Sequence, residues 1–298
     1  MHVFADSDVT GTLLRELRTV AGIGLRRMAE KTHYSPAYLS QIENGQRPVP
    51  EGVAAAYRRA LGDDPVAGRL SAIATDPDGT GAADVAVILE RTRHLEDRIG
   101  AAPVLPVVRG IDTLARGLDN GLASEVTRYR GWLEHATGQR AIADKVLADA
   151  AELAQDGPQR AHALSFRSLT ARHTGDLAKA LDLADATLAE DGVHPALRTF
   201  DLYWRGELLA RRGENRAAAK AIASDPSESD ELPPGGYWYT AGFLAVQRGL
   251  VLSCMGHVAD GVEEATQGLA AMPPDHRGTD WLNIMLQQID PELTDAAT

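Results

Sequence analysis

The chain has 298 residues, 44% of them hydrophobic and 24% charged, which is the composition of a globular protein with room for about two domains. Its single cysteine excludes an internal disulfide and a thiolate metal cluster. The net charge of −12 is uneven, because residues 1–62 carry eight basic and six acidic side chains whereas the remainder carries 22 and 36. Residues 1–62 can therefore present a basic surface to nucleic acid, and the acidity belongs to the rest.

The N-terminal stretch lacks the signals of a secreted or membrane protein. No apolar run is long enough to cross a membrane, and residues 1–11 carry acidic side chains rather than a basic segment followed by an apolar one. We therefore expect a cytoplasmic protein without a membrane partner. Leu13, Leu14 and Leu17 recur at helical spacing and predict a first helix that ends near Gly22.

Two short helices separated by a turn are predicted between Leu25 and Gly45. Apolar or small residues at three- and four-residue steps mark the first helix, which is interrupted at His33. Ser35 has a side-chain oxygen suited to an N-cap and Pro36 suits the first helical position, so a second helix begins there. Gly45 can adopt the left-handed conformation that ends it.

The second of these helices has an outer face that suits the major groove of DNA. Its apolar residues, Leu39 and Ile42, are spaced to pack back onto Met28 and Ala29. Hydroxyls and amides hydrogen-bond base edges, and an alanine methyl can contact the methyl of thymine. The side chains left to point outward are Ala37, Tyr38, Ser40 and Gln41. The alternative is a pair of packed helices without a DNA-binding role.

The segment from Leu14 to Pro50, which contains LSQIENG, resembles the Cro and phage-repressor type of helix-turn-helix, often called the Xre family. The resemblance implies a structural ion pair between Arg18 and Glu43. It also implies that the DNA backbone is contacted by Asn44, Gln46 and Arg47.

The chain departs from that family at two positions. Leu25 stands where a phosphate-binding glutamine is usual, so Arg26 or Arg27 is expected to supply that contact, and His33 replaces the turn glycine. The full set of expected DNA-binding residues is Arg26, Arg27, Ser35, Pro36, Ala37, Tyr38, Ser40, Gln41, Asn44, Gln46 and Arg47.

The sequence after the motif predicts three domains or segments. Val53, Tyr57 and Leu61 indicate a fourth helix that completes a DNA-binding domain over residues 1–62. Turn-forming residues dominate 63–84, which we interpret as a linker with one short apolar piece, Leu70–Ala74. Residues 85–298 have helical apolar patterns throughout, beginning with helices over 85–99 and 103–122, so the whole chain is predicted to be all-α.

A repeat runs through the last domain. Glycines in predicted inter-helix turns recur at intervals of 37, 38 and 43 residues, at Gly138, Gly175, Gly213 and Gly256. Small residues stand seven positions before each glycine, at Gly131, Ser168, Gly206 and Gly249, and five positions after it, at Ala143, Ala180, Ala218 and Gly261. The pattern over 125–274 resembles tetratricopeptide repeats, which implies an α-solenoid of helix pairs, and residues 279–290 suggest a capping helix.

The first helix of each pair in such a solenoid lines a concave groove. Counting back from the turn glycines gives a mixed aromatic and charged lining that suits an extended peptide. The expected effector-binding residues are Arg128, Trp132, His135, Arg172, Tyr203, Glu207, Phe243 and Gln247. The alternative is that these aromatics form the packing core between repeats.

The order of the domains resembles that of the peptide-responsive Rgg and PlcR type of bacterial regulators, which join an Xre head to a tetratricopeptide-like sensor. This implies a homodimeric transcriptional regulator that binds a double-stranded DNA operator and senses a peptide or small-molecule effector. No metal-ligand spacing or phosphate-binding glycine loop is present in the sequence, so no metal, cofactor or catalytic site is expected. Two alternatives remain: a protein-interaction scaffold tethered to a promoter, and an enzyme with a DNA-binding regulatory head.

Overall fold

The computed structural model describes residues 10–21, 23–61, 81–116, 120–223, 232–233 and 236–294, and within these ranges every regular element is helical. The chain is divided into two compact units, Met1–Arg130 and Gly131–Thr298. The predicted all-α fold is confirmed.

The first unit begins with four short helices, α1 (Gly11–Val20), α2 (Leu25–Thr32), α3 (Pro36–Glu43) and α4 (Glu51–Leu61). Helix α1 packs on α3 and α4, and α2 packs on the same two helices. The turn between α2 and α3 places His33 at φ 59°, the left-handed conformation that a glycine would adopt more easily. The side chains that fill this small core are Leu14, Leu17, Met28, Leu39, Ile42, Val53, Tyr57 and Leu61.

Two longer helices, α5 (Gly81–Ile99) and α6 (Ala101–Ala115), follow in the first unit. Helix α6 packs against both α5 and α1. The compact unit that contains the motif therefore spans Met1–Arg130 and extends beyond residue 62, the predicted end of the DNA-binding domain. Of the predicted linker, residues 63–80, including the apolar piece at 70–74, lie outside the described residues, and residues 81–84 form the first turn of α5.

The predicted single helix over 103–122 is wrong. Helix α6 ends at Ala115, and a new helix, α7 (Asn120–Ala136), begins five residues later. Helix α7 crosses the boundary between the two compact units and supplies the first helix of the repeats. Apolar periodicity alone did not show the interruption, because apolar residues continue on both sides of it.

The second unit is built from helical hairpins. Helix α7 pairs with α8 (Arg140–Leu153), and three further pairs follow: α9 (Gly157–His173) with α10 (Leu177–Ala189), α11 (Pro195–Arg211) with α12 (Asn215–Ala221), and α13 (Ala241–Cys254) with α14 (Val258–Ala271). The four turn glycines have φ values between 80° and 93°, in the left-handed region. The predicted hairpin turns are confirmed, because this conformation at the end of a helix favours glycine. The positions are Gly138, Gly175, Gly213 and Gly256.

The two columns of small residues lie where the helices of a hairpin touch. A Cβ on Gly249 would stand 2.6 Å from the backbone oxygen of Gly261, a distance that side chains do not tolerate. A Cβ on Gly131 would stand 2.5 Å from a side-chain carbon of Leu147. In the second hairpin, the hydroxyl of Ser168 donates to the backbone oxygen of Ala180 at 2.6 Å. The expected close approach is confirmed.

The repeats end in a short helix, α15 (Pro274–Arg277), and in α16 (Asp280–Ile289), which packs on α13 and α14. Leu282, Leu286 and Ile289 of α16 join the apolar core of the second unit, so the predicted capping helix is confirmed. Among the described residues, no helix combines the length and the apolar character needed to cross a membrane.

Candidate functional site

The second helix of the motif, α3, has a capped start and a glycine end. The hydroxyl oxygen of Ser35 accepts a hydrogen bond from the backbone N–H of Tyr38 at 3.2 Å, and Pro36 occupies the first helical position. Gly45 follows the helix at φ 70°. These signals confine α3 to eight residues, as the sequence predicted.

A buried carboxylate holds α3 in place. Arg18 of α1 forms two hydrogen bonds of 2.7 Å with the two carboxylate oxygens of Glu43, of which only 3% is exposed. The hydroxyl of Tyr57 in α4 donates to the same carboxylate at 2.7 Å. Arg18 also donates to the backbone oxygen of Ile23 at 2.8 Å. The predicted ion pair is confirmed, and Glu43 links three helices through charge-assisted bonds.

The ionisation of this cluster is fixed by its surroundings. The hydrogen bond from Arg18 to Glu43 raises the pKa of the arginine. Burial, and then the hydrogen bond to Glu43, raise the pKa of Tyr57 above its usual value. Tyr57 therefore stays a donor, and the carboxylate of Glu43 is its acceptor. The sequence pattern predicted Tyr57 only as an aromatic residue of the core. It did not predict the hydrogen bond of its hydroxyl, because the acceptor, Glu43, lies 14 residues away in sequence.

The residues expected to contact DNA form an accessible surface. Arg26 and Arg27 of α2 are exposed, as are Ser35, Pro36 and Ala37 at the start of α3. Partly exposed on the same helix are Tyr38, Ser40 and Gln41, and exposed beyond its end are Asn44, Gln46 and Arg47. All eleven side chains of this set are thus at least partly accessible.

Two contacts organise that surface. The guanidinium carbon of Arg47 stands 5.6 Å from the centre of the Tyr38 ring, within the range of a cation–π contact. The side-chain amide of Asn44 donates to the hydroxyl of Ser40 at 3.3 Å. The residues after α3 are thus connected to its outer face, and a positive charge lies beside hydroxyl and amide groups.

The second candidate surface is on the first helices of the hairpins, and here several expected residues are not accessible. Tyr203 is fully buried, and Phe243 is 5% exposed; both belong to the apolar core. Gln247, 2% exposed, donates to the backbone oxygen of Phe200 at 3.3 Å. The expectation that Tyr203, Phe243 and Gln247 line an open groove is therefore wrong. These side chains are covered because packing between hairpins, which the spacing from the turn glycines does not specify, decides which side of a first helix is buried.

Arg128, also in the expected set, lies in the first compact unit and is 7% exposed. Burial opposes ionisation of its neighbour Glu125, but the charges of Arg93 and Arg128 outweigh it and lower the pKa of Glu125. Arg128 is thus a buried side chain and does not line an open groove.

A chain of hydrogen bonds connects the first two hairpins. His173 accepts from a guanidinium N–H of Arg172 at 2.7 Å, and its other ring nitrogen lies 2.9 Å from His135. His135 in turn lies 3.1 Å from the hydroxyl of Thr170, which donates to the backbone oxygen of Phe166 at 3.0 Å. Since a guanidinium can only donate and a carbonyl can only accept, the direction of the chain requires that both imidazoles be neutral.

The electrostatics agree with neutral histidines. Burial, followed by the charges of Arg140 and Arg172, lowers the pKa of His135 to about 4. Burial, followed by the charge of Arg172, lowers the pKa of His173 to about 3. Apart from His135, the groups whose charge lowers these two pKa values are arginines: Arg140 and Arg172 for both histidines, and Arg211 for His173. The region around the histidine pair is therefore positive.

The polar region extends from Arg172 in the second hairpin to Glu207 in the third. Glu207, 1% exposed, lies 3.4 Å from Arg172 and accepts from Arg211 at 2.7 Å, and Arg211 also donates to Gln288 at 2.6 Å. Glu207 is thus part of an internal ion-pair network, and the expectation that it lines an open groove is wrong. The Nε–H of Arg172 is buried and has no hydrogen-bond partner in the part of the chain that the structure describes.

Half-buried aromatic side chains form a second feature of the same helices. Trp132 stacks near His135, with ring centres 5.9 Å apart, and contacts Phe166 at 5.4 Å. His162, one turn before Phe166, lies 3.1 Å from the hydroxyl of Tyr239. The expected set contained Trp132 and His135 but omitted Phe166 and His173. Neither of these two residues aligns with the glycine columns, so the repeat pattern did not single them out.

Within the described residues, no group of three or more His, Cys, Asp or Glu side chains is arranged to hold a metal ion. One isolated acid is perturbed: burial raises the pKa of Asp201 to about 7, and the hydroxyl of Ser165 donates to it at 2.6 Å. Burial also raises the pKa of Cys254, the single cysteine.

The geometry defines a helix-turn-helix domain at the N-terminus, followed by helical repeats, which is the construction of a DNA-binding regulator. Residues 10–67 match the family model described as a helix-turn-helix domain. No curated protein sequence gives a significant match.

Among solved structures, the chain is similar to PlcR of Bacillus thuringiensis, crystallised in complex with the peptide PapR7 and DNA. The two share 13% sequence identity, the similarity covers 98% of this chain and 99% of that one, and the TM-score is 0.42.

Proposed function

We propose that the protein is a sequence-specific transcriptional regulator that binds operator DNA through α3 as a homodimer. The observation that supports this most directly is the triple linkage of Glu43 to Arg18 and Tyr57, which fixes α3 while its polar side faces outward. A helix that enters the major groove must be held at a defined angle, because base contacts depend on hydrogen-bond geometry. The match of residues 10–67 to a helix-turn-helix model gives independent support.

The repeats, on this proposal, bind a small effector, either a peptide or a small molecule, and change the spacing of the two DNA-binding heads. Half-buried aromatics and an internal arginine network on the first helices supply apolar and polar groups for such a ligand. A ligand alters DNA binding only by its difference in affinity for two arrangements of the protein. The protein would act without catalysis, in the compartment that holds the DNA.

Selection of bound fragments from a random duplex library would provide the operator for the decisive test. Replacing Gln41 by Ala should then weaken operator binding by about 1–3 kcal/mol and leave binding to random duplex nearly unchanged, because Gln41 would contact bases. Fluorescence anisotropy with both duplexes measures the difference. Equal losses on both would show that Gln41 does not contact bases.

A second substitution tests the placement of the backbone contacts. Arg47→Ala should weaken binding to every duplex and lower the slope of log affinity against log salt by about one, because one phosphate contact would be lost. Arg216→Ala is the matched control, since Arg216 is exposed on α12 in the second unit. If the two variants have the same salt slope, the proposed docking of α3 is wrong.

The homodimer has its own test. Two heads that each bind one half-site must lie about 34 Å apart, or one DNA turn. The selected sites should therefore be palindromic with that spacing, and insertion of half a turn between the half-sites should abolish binding. Full affinity for an isolated half-site would contradict the dimer.

A further inference from the structure

We propose that the first two hairpins form a pocket for a small carboxylate that carries a planar apolar group. This inference rests on the proposed role of the repeats as an effector sensor and specifies the chemistry of the ligand. It differs from the extended peptide that the sequence pattern favours. Three features of the second unit support it: an aromatic face, a positive and incompletely paired recess, and an internal contact that limits the length of the groove.

The aromatic face is formed by Trp132 of α7 and Phe166 of α9. Both side chains are only partly buried, and their rings are 5.4 Å apart at an angle of 56°. His135 also stacks near Trp132, with its ring inclined by 18° at a centre distance of 5.9 Å. A planar apolar group can stack on such a surface, because aromatic rings prefer offset or edge contacts with one another.

The positive recess is formed by Arg172, nearly two helical turns after Phe166 on α9, and by Arg140 at the start of α8. Arg172 has a buried Nε–H without a hydrogen-bond partner among the described residues, and a buried donor of this kind is stabilised when an acceptor reaches it. Arg140, which is exposed at the start of α8, is close enough to lower the pKa values of both His135 and His173.

The charges of the residues in the recess favour a negatively charged ligand. The hydrogen-bond chain requires both imidazoles to be neutral, so the positive charge of the recess belongs to Arg140 and Arg172. Glu207 offsets part of the charge of Arg172, but it is also paired with Arg211. A carboxylate meets a net positive field here, and its two acceptor oxygens match the guanidinium donors.

The length of the ligand is limited by Tyr239. Its hydroxyl lies 3.1 Å from His162 of α9, and its ring contacts Phe200 of α11 with ring centres 5.1 Å apart. Tyr239 precedes α13, so this contact joins the second hairpin to the start of the fourth across the start of the third. An extended chain running along all the first helices would have to break it. A compact ligand beside Trp132 would not.

The experiment is isothermal titration calorimetry of the full chain with two matched probe pairs, 1-naphthaleneacetate with its primary amide and phenylacetate with its primary amide. Each pair keeps the ring and changes only the charge. We expect the larger acid to bind at least tenfold more tightly than its amide and more tightly than phenylacetate. Absence of binding, or equal affinity for acid and amide, would overturn the proposal.

Three variants locate the site. Arg140→Gln removes an exposed charge and leaves the fold intact, so it should reduce the affinity for the acid severalfold without affecting the amide. Trp132→Leu should weaken both members of a pair, and Arg172→Met should abolish the preference for the acid. Arg216→Gln, an exposed arginine on α12, is the control and should change nothing. If Arg216→Gln lowers the affinity for the acid as much as Arg140→Gln does, the binding is nonspecific charge attraction and the proposed pocket is wrong.

The assay contains no DNA, so its failure leaves the proposed DNA binding intact. Conversely, a protein that bound the acid but showed no preference for any duplex would retain the pocket and lose the proposed function. A six-residue peptide that binds without competing with 1-naphthaleneacetate, and whose binding breaks the His162–Tyr239 contact, would show that the long groove is the true site and the compact pocket is wrong.

Discussion

The two compact units fix their helices by different physical means. In the first unit, the position of α3 depends on one buried carboxylate, Glu43, to which Arg18 and Tyr57 donate. In the second unit, the hairpins are held by backbone proximity at small residues, as at Gly249 and Gly261, and by hydrogen bonds between neutral imidazoles. A short motif has little apolar area to bury, so one directional charged contact has a large effect there. In a repeat array, several similar contacts together hold the helices in position, so each one has a smaller effect.

This contrast predicts that removal of the Arg18 charge destabilises the protein more than the other single changes considered below. Arg18→Met should destabilise the helix-turn-helix by about 3–5 kcal/mol, because Glu43 would remain buried without its ionic partner. Hydrogen exchange of peptides from residues 25–61 measures the effect. Arg58→Met, on an exposed arginine of α4, should change little.

The double substitution Arg18→Met with Glu43→Leu sharpens the interpretation. It removes both charges, and much of the lost stability should return, since an apolar pair of similar volume often replaces a buried ion pair. If the double variant is as unstable as Arg18→Met, the role of Glu43 is not electrostatic.

The neutral histidines predict a pH dependence in the second unit. His135 and His173 have pKa values near 4 and 3 in the folded chain against an unfolded value of 6.5, so the unfolded state binds more protons between these limits. Their contribution to stability is complete above pH 6.5 and is lost as the pH falls through 4. The two histidines together should lose roughly 5 kcal/mol of stabilisation between pH 6.5 and 4, at ~1.36 kcal/mol per pKa unit. The opposing change at Asp201 should leave a net loss of about 2–3 kcal/mol, measured by urea unfolding followed through tryptophan fluorescence.

Tryptophan fluorescence is specific to this unit, since the four tryptophans, at positions 132, 204, 238 and 281, all lie within it. Asp201 acts in the opposite direction: its folded pKa of about 7 exceeds the unfolded 3.8, so its stabilisation is present below pH 3.8 and lost as the pH rises through 7. Asp201→Asn should therefore steepen the loss of stability on acidification, and His135→Phe should reduce it. The exposed His257 gives the control His257→Phe. An unchanged slope in the His135 variant would contradict neutral histidines.

Addition of a single methyl group tests the close approach of the hairpin helices. Gly249→Ala should cost about 2 kcal/mol in urea unfolding, because the new Cβ meets the backbone oxygen of Gly261 at 2.6 Å and the two helices must separate. This is smaller than the effect of Arg18→Met, since other hairpins keep their contacts.

The smallest expected effect is at a turn. Gly138 has φ 83° and open space around its Cα, so Gly138→Ala should cost only about 1 kcal/mol, from backbone conformation alone. If Gly138→Ala destabilises more than Gly249→Ala, the hairpins depend on their turns rather than on helix contact, and the comparison between the units changes accordingly.

The sequence determined the local structure of this protein. Ser35, Pro36 and Gly45 delimited α3, and the glycine columns located the hairpin turns, because caps and left-handed turns are set by residues near one another in the chain. The Arg18–Glu43 pair followed from the resemblance of the motif to a known family, and the structure confirmed it.

The tertiary structure decided which side chains of the repeats are accessible. Periodicity places residues on one side of a helix, but whether that side meets another helix depends on packing between hairpins that are distant in sequence. Tyr203 was therefore expected in a groove and is buried, whereas Phe166 and His173 were not singled out and lie beside Trp132 and His135. The contact between His162 and Tyr239 joins residues 77 positions apart, and no local pattern encodes it.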